Sequence, residues 1–172
     1  MKSNFHQSLA WVLESEGGFV NNPADPGGMT NLGVTRRAWQ DYFGRSISEA
    51  EMRALTPLVV TPFYRVSYWN AIRGDELPAG LDYALFDFAV NSGVHRASLS
   101  LQSILGATQD GIIGPITLSK VRLYFQDHTD ILIKNLTFAR LDFLHHLPTW
   151  PTFGKGWEAR VKKVQENALT LL

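Results

Sequence analysis

Apolar residues recur at helical spacing along most of the chain, and turn-forming residues separate the helical stretches. The first stretch places four apolar side chains on one face: Phe5, Leu9, Val12 and Leu13. This spacing predicts an amphipathic helix whose apolar face is buried. The paired glycines Gly17 and Gly18 favour the end of that helix. The helix therefore leads into the segment 18–35, whose glycines, prolines and asparagines exclude a long helix.

Capping signals predict the starts of three more helices. Thr35 precedes a helical pattern that continues to Phe43. Ser48 and Glu51 have the spacing of a capping box. Thr56, which is followed by a proline, can cap a third helix with that proline in its first turn.

The rest of the chain is also predicted to be helical, apart from one small β element. Apolar spacing and terminal glycines predict further helices over the ranges 81–90, 97–105, 116–125, 131–147 and 157–171. Phe19-Val20 and Leu32-Gly33-Val34 can pair as a small hairpin, and 148–156 resembles a linker. We therefore predict a mainly α fold with about seven or eight helices and a small β-hairpin.

Glu16 and Asp25 are candidate catalytic carboxylates. Hydrolysis of a glycosidic bond requires a carboxyl group that is still protonated near neutral pH, and a second group that activates water or stabilises the developing positive charge. Glu16 would lie at a helix C-terminus beside Leu13 and Phe19, an environment that disfavours an ionised carboxylate. Asp25, between two prolines, would stay solvated and ionised, and Thr30 could hold a water. The alternative is that these are an ordinary helix-end carboxylate and a simple turn.

A distinctive motif covers residues 16–35, with the sequence EGGFVNNPADPGGMTNLGVT. It resembles the signature of glycoside hydrolase family 108, whose members are bacterial and phage N-acetylmuramidases with a lysozyme-like fold. The resemblance implies that Glu16, before the paired glycines, is the catalytic acid. The order Glu16, Asp25, Thr30 is also similar to the catalytic triad of phage lysozymes, although Thr30 lies one position closer to Asp25 than in that pattern. In lysozyme-like folds a small hairpin lies beside the active-site cleft.

A second motif lies further along the chain. It consists of three segments that resemble the predicted peptidoglycan-binding region of the same family: 87–93 (DFAVNSG), 101–102 (LQ) and 110–117 (DGIIGPIT). The last segment recurs in several cell-wall modules, and its structural alternative is a tight turn before a helix that begins at Pro115. The two resemblances imply a lysozyme-like catalytic region over 1–90 and a helical peptidoglycan-binding region over 91–172, packed together as one compact unit.

Six residues are candidates for contacts with sugar rings. Aromatic faces stack on the apolar faces of pyranoses, while amide and hydroxyl groups can bond to N-acetyl and hydroxyl groups. The candidates are Tyr42, Tyr64, Trp69, Asn70, Asn91 and Ser92. For each aromatic residue the alternative is a place in the core, and Asn91 could instead cap a helix C-terminus. Asp87, on the same predicted helix, is interpreted as a buried partner of an arginine.

Composition and charge restrict the partners. Lys and Arg together number 16, as do Asp and Glu, so no net charge attracts nucleic acid and we expect none to bind. The chain has no cysteine and no His-Glu-x-x-His motif, and neither a metal nor a cofactor is predicted. No apolar run reaches the roughly 18 residues of a membrane span, and the N-terminus lacks the apolar core of a signal peptide. We therefore expect no membrane insertion and synthesis in the cytoplasm.

Sequence and resemblance together lead to a functional hypothesis. It is a monomeric N-acetylmuramidase that cleaves the β-1,4 bond between N-acetylmuramic acid and N-acetylglucosamine in peptidoglycan glycan strands. It would reach the periplasmic peptidoglycan of a host or target bacterium through a holin or a secretion system, in phage lysis or in wall opening for secretion. Two alternatives stay open: a lytic transglycosylase, which forms a 1,6-anhydro product without water, and a non-catalytic module that binds the cell wall.

Overall fold

The computed structural model of the chain describes residues 4–21, 28–125 and 128–172. Within these ranges the helices number nine, rather than the predicted seven or eight. They are α1 (Phe5–Ser15), α2 (Arg36–Phe43), α3 (Glu49–Arg53), α4 (Pro57–Tyr64), α5 (Leu81–Ser92), α6 (Val94–Ile104), α7 (Pro115–Phe125), α8 (Thr129–His145) and α9 (Trp150–Leu169). A π-helical turn, Arg65–Trp69, continues α4, and a 3-10 turn covers Gly74–Glu76. The predicted mainly α fold with a small β element is confirmed.

Three short strands form one antiparallel sheet in the order β1-β2-β3. They are β1 (Val20–Asn21), β2 (Met29–Asn31) and β3 (Val34–Thr35). Only Leu32 and Gly33 join β2 to β3, and their φ angles are 50° and 73°. Positive φ at both central residues is what a type I′ hairpin turn requires. The hairpin is therefore present, but Val20 pairs with Thr30 and not with 32–34, because the tight turn occupies Leu32 and Gly33.

Contacts within the chain divide it into two units. The sheet unit is Leu9–Val66, and the helical unit is Ser67–Leu172 together with the N-terminal segment that ends at Ser8. The sheet unit contains the three strands, α2 to α4 and most of α1, while α5 to α9 belong to the helical unit. This division follows packing and does not test the predicted functional boundary between residues 90 and 91, which stays a prediction.

The predicted capping residues lie where the helices begin. Thr35 Oγ1 accepts a hydrogen bond from the N–H of Ala38 at the start of α2. Ser48 and Glu51 form a reciprocal capping box on α3, and Thr56 caps α4. Each cap satisfies N–H groups that the first helical turn leaves without a partner inside the helix.

The core of the helical unit is built around α5. Every residue from Leu81 to Ala89 is buried, and α6, α8 and α9 pack against this helix. Because these nine consecutive residues are buried on every face of the helix, α5 forms the centre of this core. At one side of the core, the ring of Trp69 meets those of Phe5 and Phe86 edge to face, with centroids 5.3 and 5.4 Å away.

A buried ion-pair network joins three helices of this core. Asp87 on α5 is completely buried, and its carboxylate accepts hydrogen bonds from Arg140 on α8 at 2.8 Å and from Arg160 on α9 at 3.0 Å. Burial alone would raise the pKa of Asp87, but the two guanidinium groups outweigh it and hold the pKa below its usual range. The interpretation of Asp87 as a buried arginine partner is confirmed.

The linker predicted over 148–156 is wrong. α9 begins at Trp150, well before the predicted start at Trp157. Pro151 lies in the first turn, where a missing N–H costs nothing. Gly154 leaves room for the indole of Trp150, which a Cβ atom there would meet at 2.5 Å. Two residues that commonly interrupt helices are therefore compatible with this one.

Candidate active site

Glu16 lies at the C-terminal end of α1, in the sheet unit. Its backbone N–H donates to the carbonyl oxygens of Val12 at 3.2 Å and Leu13 at 3.3 Å, so the residue still belongs to the last helical turn. Its side chain is half-buried. The predicted position of Glu16 at a helix end is confirmed, and its catalytic role stays a prediction.

The segment after Glu16 is hydrogen-bonded to the hairpin turn of the sheet. The carbonyl of Gly17 accepts the N–H of Leu32 at 3.1 Å, and the carbonyl of Leu32 accepts the hydroxyl of Tyr64 at 2.7 Å. Both backbone polar groups of Leu32 are therefore bonded. A positive φ is unfavourable for a bulky side chain, and these two bonds stabilise Leu32 in that conformation.

Gly33 allows Glu16 and Tyr64 to approach the same point. A Cβ atom added to Gly33 would lie 2.8 Å from both Cγ and Oε2 of Glu16, and 2.6 Å from Oη of Tyr64. Real Cβ contacts are essentially never that short, so only glycine permits this arrangement. The carboxyl group of Glu16 and the hydroxyl of Tyr64 therefore lie against one turn. Gly33 could not be identified as a site residue from the sequence, because a glycine between strands signals a turn and says nothing about its neighbours.

Burial contradicts the predicted contact between Tyr64 and a sugar ring. The side chain is 1% exposed, so its ring has no open face for stacking. Its hydroxyl bonds to a carbonyl 32 residues earlier in the chain, and local spacing could not reveal such a partner. Tyr64 instead supports the turn that lies beside Glu16.

Trp69 is likewise a core residue and not a sugar-stacking one. It is fully buried in the helical unit, its Nε1–H donates to Asp75 Oδ1 at 2.9 Å, and its ring lies against Gly74. Tyr42, in the sheet unit, is 37% exposed, and its ring stacks on that of Trp39 with centroids 5.7 Å apart. Tyr42 stays a predicted binding residue, whereas Trp69 does not.

The polar candidates of the helical unit are accessible to different extents. Asn70 is exposed, while Asn91 and Ser92 are half-buried in the last turn of α5. The hydroxyl of Ser92 donates to Oδ1 of Asn91 at 3.0 Å, and Gly93 ends the helix with a φ of 91°. Sugar binding by these three polar residues stays a prediction.

Of the other two proposed catalytic residues, Thr30 is among the residues that the structure describes and Asp25 is not. Thr30 is half-buried on β2, the middle strand, where it pairs with Val20 and Thr35. Asp25 lies outside the described residues. The functions predicted for Asp25 and Thr30 therefore stay predictions.

The described ranges contain neither a metal-binding cluster nor a membrane-spanning helix. Over residues 4–21, 28–125 and 128–172, no three His, Cys, Asp or Glu side chains form a group that could hold a metal ion. In that same part of the chain, no helix combines the length and the apolar character needed to cross a bilayer.

Comparison with known proteins identifies the family. Residues 9–93, which include every candidate site residue discussed above, match the family model described as glycosyl hydrolase 108. The structure of SagA from Brucella abortus aligns with the chain at a TM-score of 0.87 and 45% sequence identity, covering 98% of this chain and 95% of SagA. The chain belongs to glycosyl hydrolase family 108. No curated protein matches it.

Membership of glycosyl hydrolase family 108 defines the class of activity. The chain is a glycoside hydrolase with a lysozyme-like fold, and its family supports hydrolysis of peptidoglycan. An enzyme is therefore favoured over the alternative of a non-catalytic wall-binding module.

The second sequence motif extends beyond the family 108 match. Gln102 on α6 organises its last segment: Nε2 donates to Asp110 Oδ1 at 2.7 Å and to the carbonyl of Ile112 at 3.0 Å, and Oε1 accepts the N–H of Gly111 at 2.9 Å. These polar groups are thus bonded within a turn that precedes α7. The tight turn proposed as the structural alternative is present, and peptidoglycan binding by region 91–172 stays a prediction.

Proposed function

We propose that the chain is an N-acetylmuramidase that hydrolyses the β-1,4 bond between N-acetylmuramic acid and N-acetylglucosamine, with Glu16 as the general acid. The observation that supports this most is the placement of the Glu16 carboxyl group against the Leu32-Gly33 turn. A general acid must present its proton from a fixed position. The end of α1 and the hairpin turn together restrict where this carboxyl group can lie.

Tyr64 contributes to this arrangement through its hydroxyl group. A tyrosine hydroxyl has one proton, and that proton is donated to the carbonyl of Leu32. The lone pairs of the same oxygen can then accept a hydrogen bond from a protonated carboxyl group. A protonated Glu16 is therefore compatible with its neighbour.

In the proposed reaction, Glu16 transfers its proton to the glycosidic oxygen while the bond from that oxygen to C1 breaks. Positive charge then develops at C1 and the ring oxygen of N-acetylmuramic acid. Asp25 stabilises this charge or activates water, and Thr30 positions that water on the opposite face of the sugar. The water oxygen bonds to C1, and each cleavage yields a hydrated reducing end on N-acetylmuramic acid.

The chemical structure of the products tests this assignment. Purified Gram-negative sacculi are digested with the full chain, and the released muropeptides are weighed by mass spectrometry. We expect hydrated reducing-end N-acetylmuramic acid. A 1,6-anhydro product would instead identify a lytic transglycosylase, and reducing-end N-acetylglucosamine would contradict the proposed bond. In the same digestion Asp25→Asn should lose most activity, and retained activity would assign its function to another group.

The biological role proposed with this activity is wall opening, in phage lysis or for a secretion apparatus. Its substrate is periplasmic peptidoglycan, so the protein must cross or bypass the inner membrane. We propose a holin or a secretion system as the route.

A further inference from the structure

A cavity of about 410 Å³ lies between α6 and α8 in the helical unit. This volume is within the range of pockets that bind small ligands. We call it the α6–α8 pocket. The residues that line it include none of those proposed for catalysis and none of the predicted sugar contacts.

Arg96 gives the α6–α8 pocket a positively charged group. Its Cζ atom lies 4.7 Å from the centre of the Phe143 ring, and stacking on an aromatic ring restricts a guanidinium to one plane. Among the residues that the structure describes, no carboxylate pairs with Arg96. Its planar set of N–H donors matches the two oxygens of a carboxylate.

Asp142 adds a negatively charged group from α8. Its side chain is 63% exposed, so its oxygens are open to a ligand. His146 lies one turn later, with Nδ1 2.7 Å from the carbonyl oxygen of Asp142 and 3.8 Å from its Oδ1. The pocket therefore has a cation on one helix and an anion on the other.

The rest of the lining is mixed. Leu99 and Ile104 on α6 supply apolar surface, and Ser100, Ser103 and Gln109 supply hydroxyl and amide groups. Such groups can bond to peptide N–H and C=O groups while the apolar surface contacts aliphatic carbons. A matching ligand is a short peptide that carries both a free carboxylate and a free ammonium.

We propose that the α6–α8 pocket binds the stem peptide of peptidoglycan, with a carboxylate on Arg96 and an ammonium on Asp142. This inference rests on the proposed function only in taking peptidoglycan as the substrate. The diamino acid of a stem peptide carries both charges on a short aliphatic chain, whereas the sugars of the glycan strand carry no ammonium. The pocket thus recognises the peptide part of the wall.

Direct binding of a free stem peptide tests the proposal. The full chain is titrated with L-alanyl-γ-D-glutamyl-meso-diaminopimelate, and binding is followed by calorimetry and by amide NMR shifts. Saturable binding with shifts on α6 and α8 is expected. Arg96→Gln should weaken it about tenfold or more, because a charge-assisted bidentate contact is lost. Arg122→Gln, a matched change of an exposed arginine on α7, should bind as the wild type does.

Asp142→Asn provides a second, independent variant. It should weaken binding of the free peptide but not of the peptide acetylated on both of its amines, since that peptide has no ammonium. The proposal is overturned by an absence of saturable binding, by equal affinity of Arg96→Gln and wild type, or by shifts away from α6 and α8. Chitotetraose shifting the same resonances would also overturn it, because the pocket would then be a sugar site.

These outcomes are separate from those of the catalytic proposal, because binding is measured without cleavage. Muropeptide release without stem-peptide binding would overturn the pocket and leave the muramidase assignment intact. Peptide binding without muropeptide release would support the proposed pocket and contradict the muramidase assignment.

Discussion

Gly33 determines how closely Glu16 can approach the hairpin turn. Its missing side chain leaves the space that the Glu16 carboxyl group and the Tyr64 hydroxyl occupy, and its φ of 73° is one that glycine adopts readily. The preceding Leu32 also has a positive φ, although its larger side chain makes this unfavourable. Backbone strain of this kind commonly accompanies functional sites, which agrees with the proposed catalytic position of Glu16.

Gly33→Ala should therefore impair catalysis more than folding. The added Cβ would displace the Glu16 carboxyl group, and a displacement of about 1 Å can reduce a rate about 100-fold. Stability should fall by about 1–3 kcal/mol, from the positive φ and the crowding. The measurements are muropeptide release per folded molecule and the midpoint of urea unfolding.

Gly44→Ala is the matched control. Gly44 has a similar φ of 66°, but a Cβ atom added there would meet nothing within 4 Å, so that variant carries the backbone cost without the crowding. It should lose stability and keep its activity per folded molecule. If folded Gly33→Ala and Gly44→Ala released muropeptides equally fast, the contact with Glu16 would not matter for catalysis.

Individual residues were predictable only where the chemistry is local. Glu16 could be assigned a helix-end position because Gly17 and Gly18 follow it directly. Tyr64 and Trp69 were wrongly assigned to a sugar site, because helical spacing of aromatic residues suits a core as well as a cleft. Long-range contacts place both residues in the core and not in a cleft, and such contacts leave no local signal in the sequence.

The starts of α2, α3 and α4 were predicted well because caps act within one turn. Thr35, Ser48 and Thr56 each bond to backbone N–H groups of the residues that immediately follow. The start of α9 was wrong because Pro151 and Gly154 were interpreted as helix breakers. Each is tolerated for a reason of position or space that residue type alone does not show.

The contacts among α5, α8 and α9 depend on Asp87. Asp87→Asn should lower the free energy of unfolding by about 3–5 kcal/mol, because it leaves the guanidinium groups of Arg140 and Arg160 buried without a compensating charge. Urea unfolding at neutral pH measures this. Asp130→Asn is the matched control, since it removes an exposed i,i+4 pair with Lys134 and should cause no measurable change.

The effect of Asp87→Asn should also depend on pH. The folded state holds the pKa of Asp87 below its usual range, so the ionised carboxylate stabilises the fold above the ordinary aspartate pKa of about 3.9. That contribution is lost as pH falls through the lowered folded-state pKa. The difference between wild type and variant should thus be full at neutral pH and shrink in acid, and a constant difference would contradict the ion-pair explanation.

The division of the chain into two packing units could not be predicted from the sequence. Packing separates Leu9–Val66 from the rest of the chain, and this division does not test the functional boundary that both motifs predict near residue 90. The N-terminal segment joins the helical unit because Phe5 packs on Trp69 and Phe86. Such pairing across the length of the chain is invisible to motif spacing, while the mainly α class followed from periodicity alone.

The catalytic assignment of Glu16 is the central claim. Its most direct test counts new reducing ends released from purified sacculi by wild type, Glu16→Gln and Glu14→Gln, with the fold of each checked by circular dichroism and thermal unfolding. Glu14 is exposed on α1, two residues earlier, so its variant controls for loss of a nearby carboxylate. We predict that Glu14→Gln acts as wild type does and that folded Glu16→Gln releases almost no reducing ends. Release by folded Glu16→Gln at the wild-type rate would contradict this account.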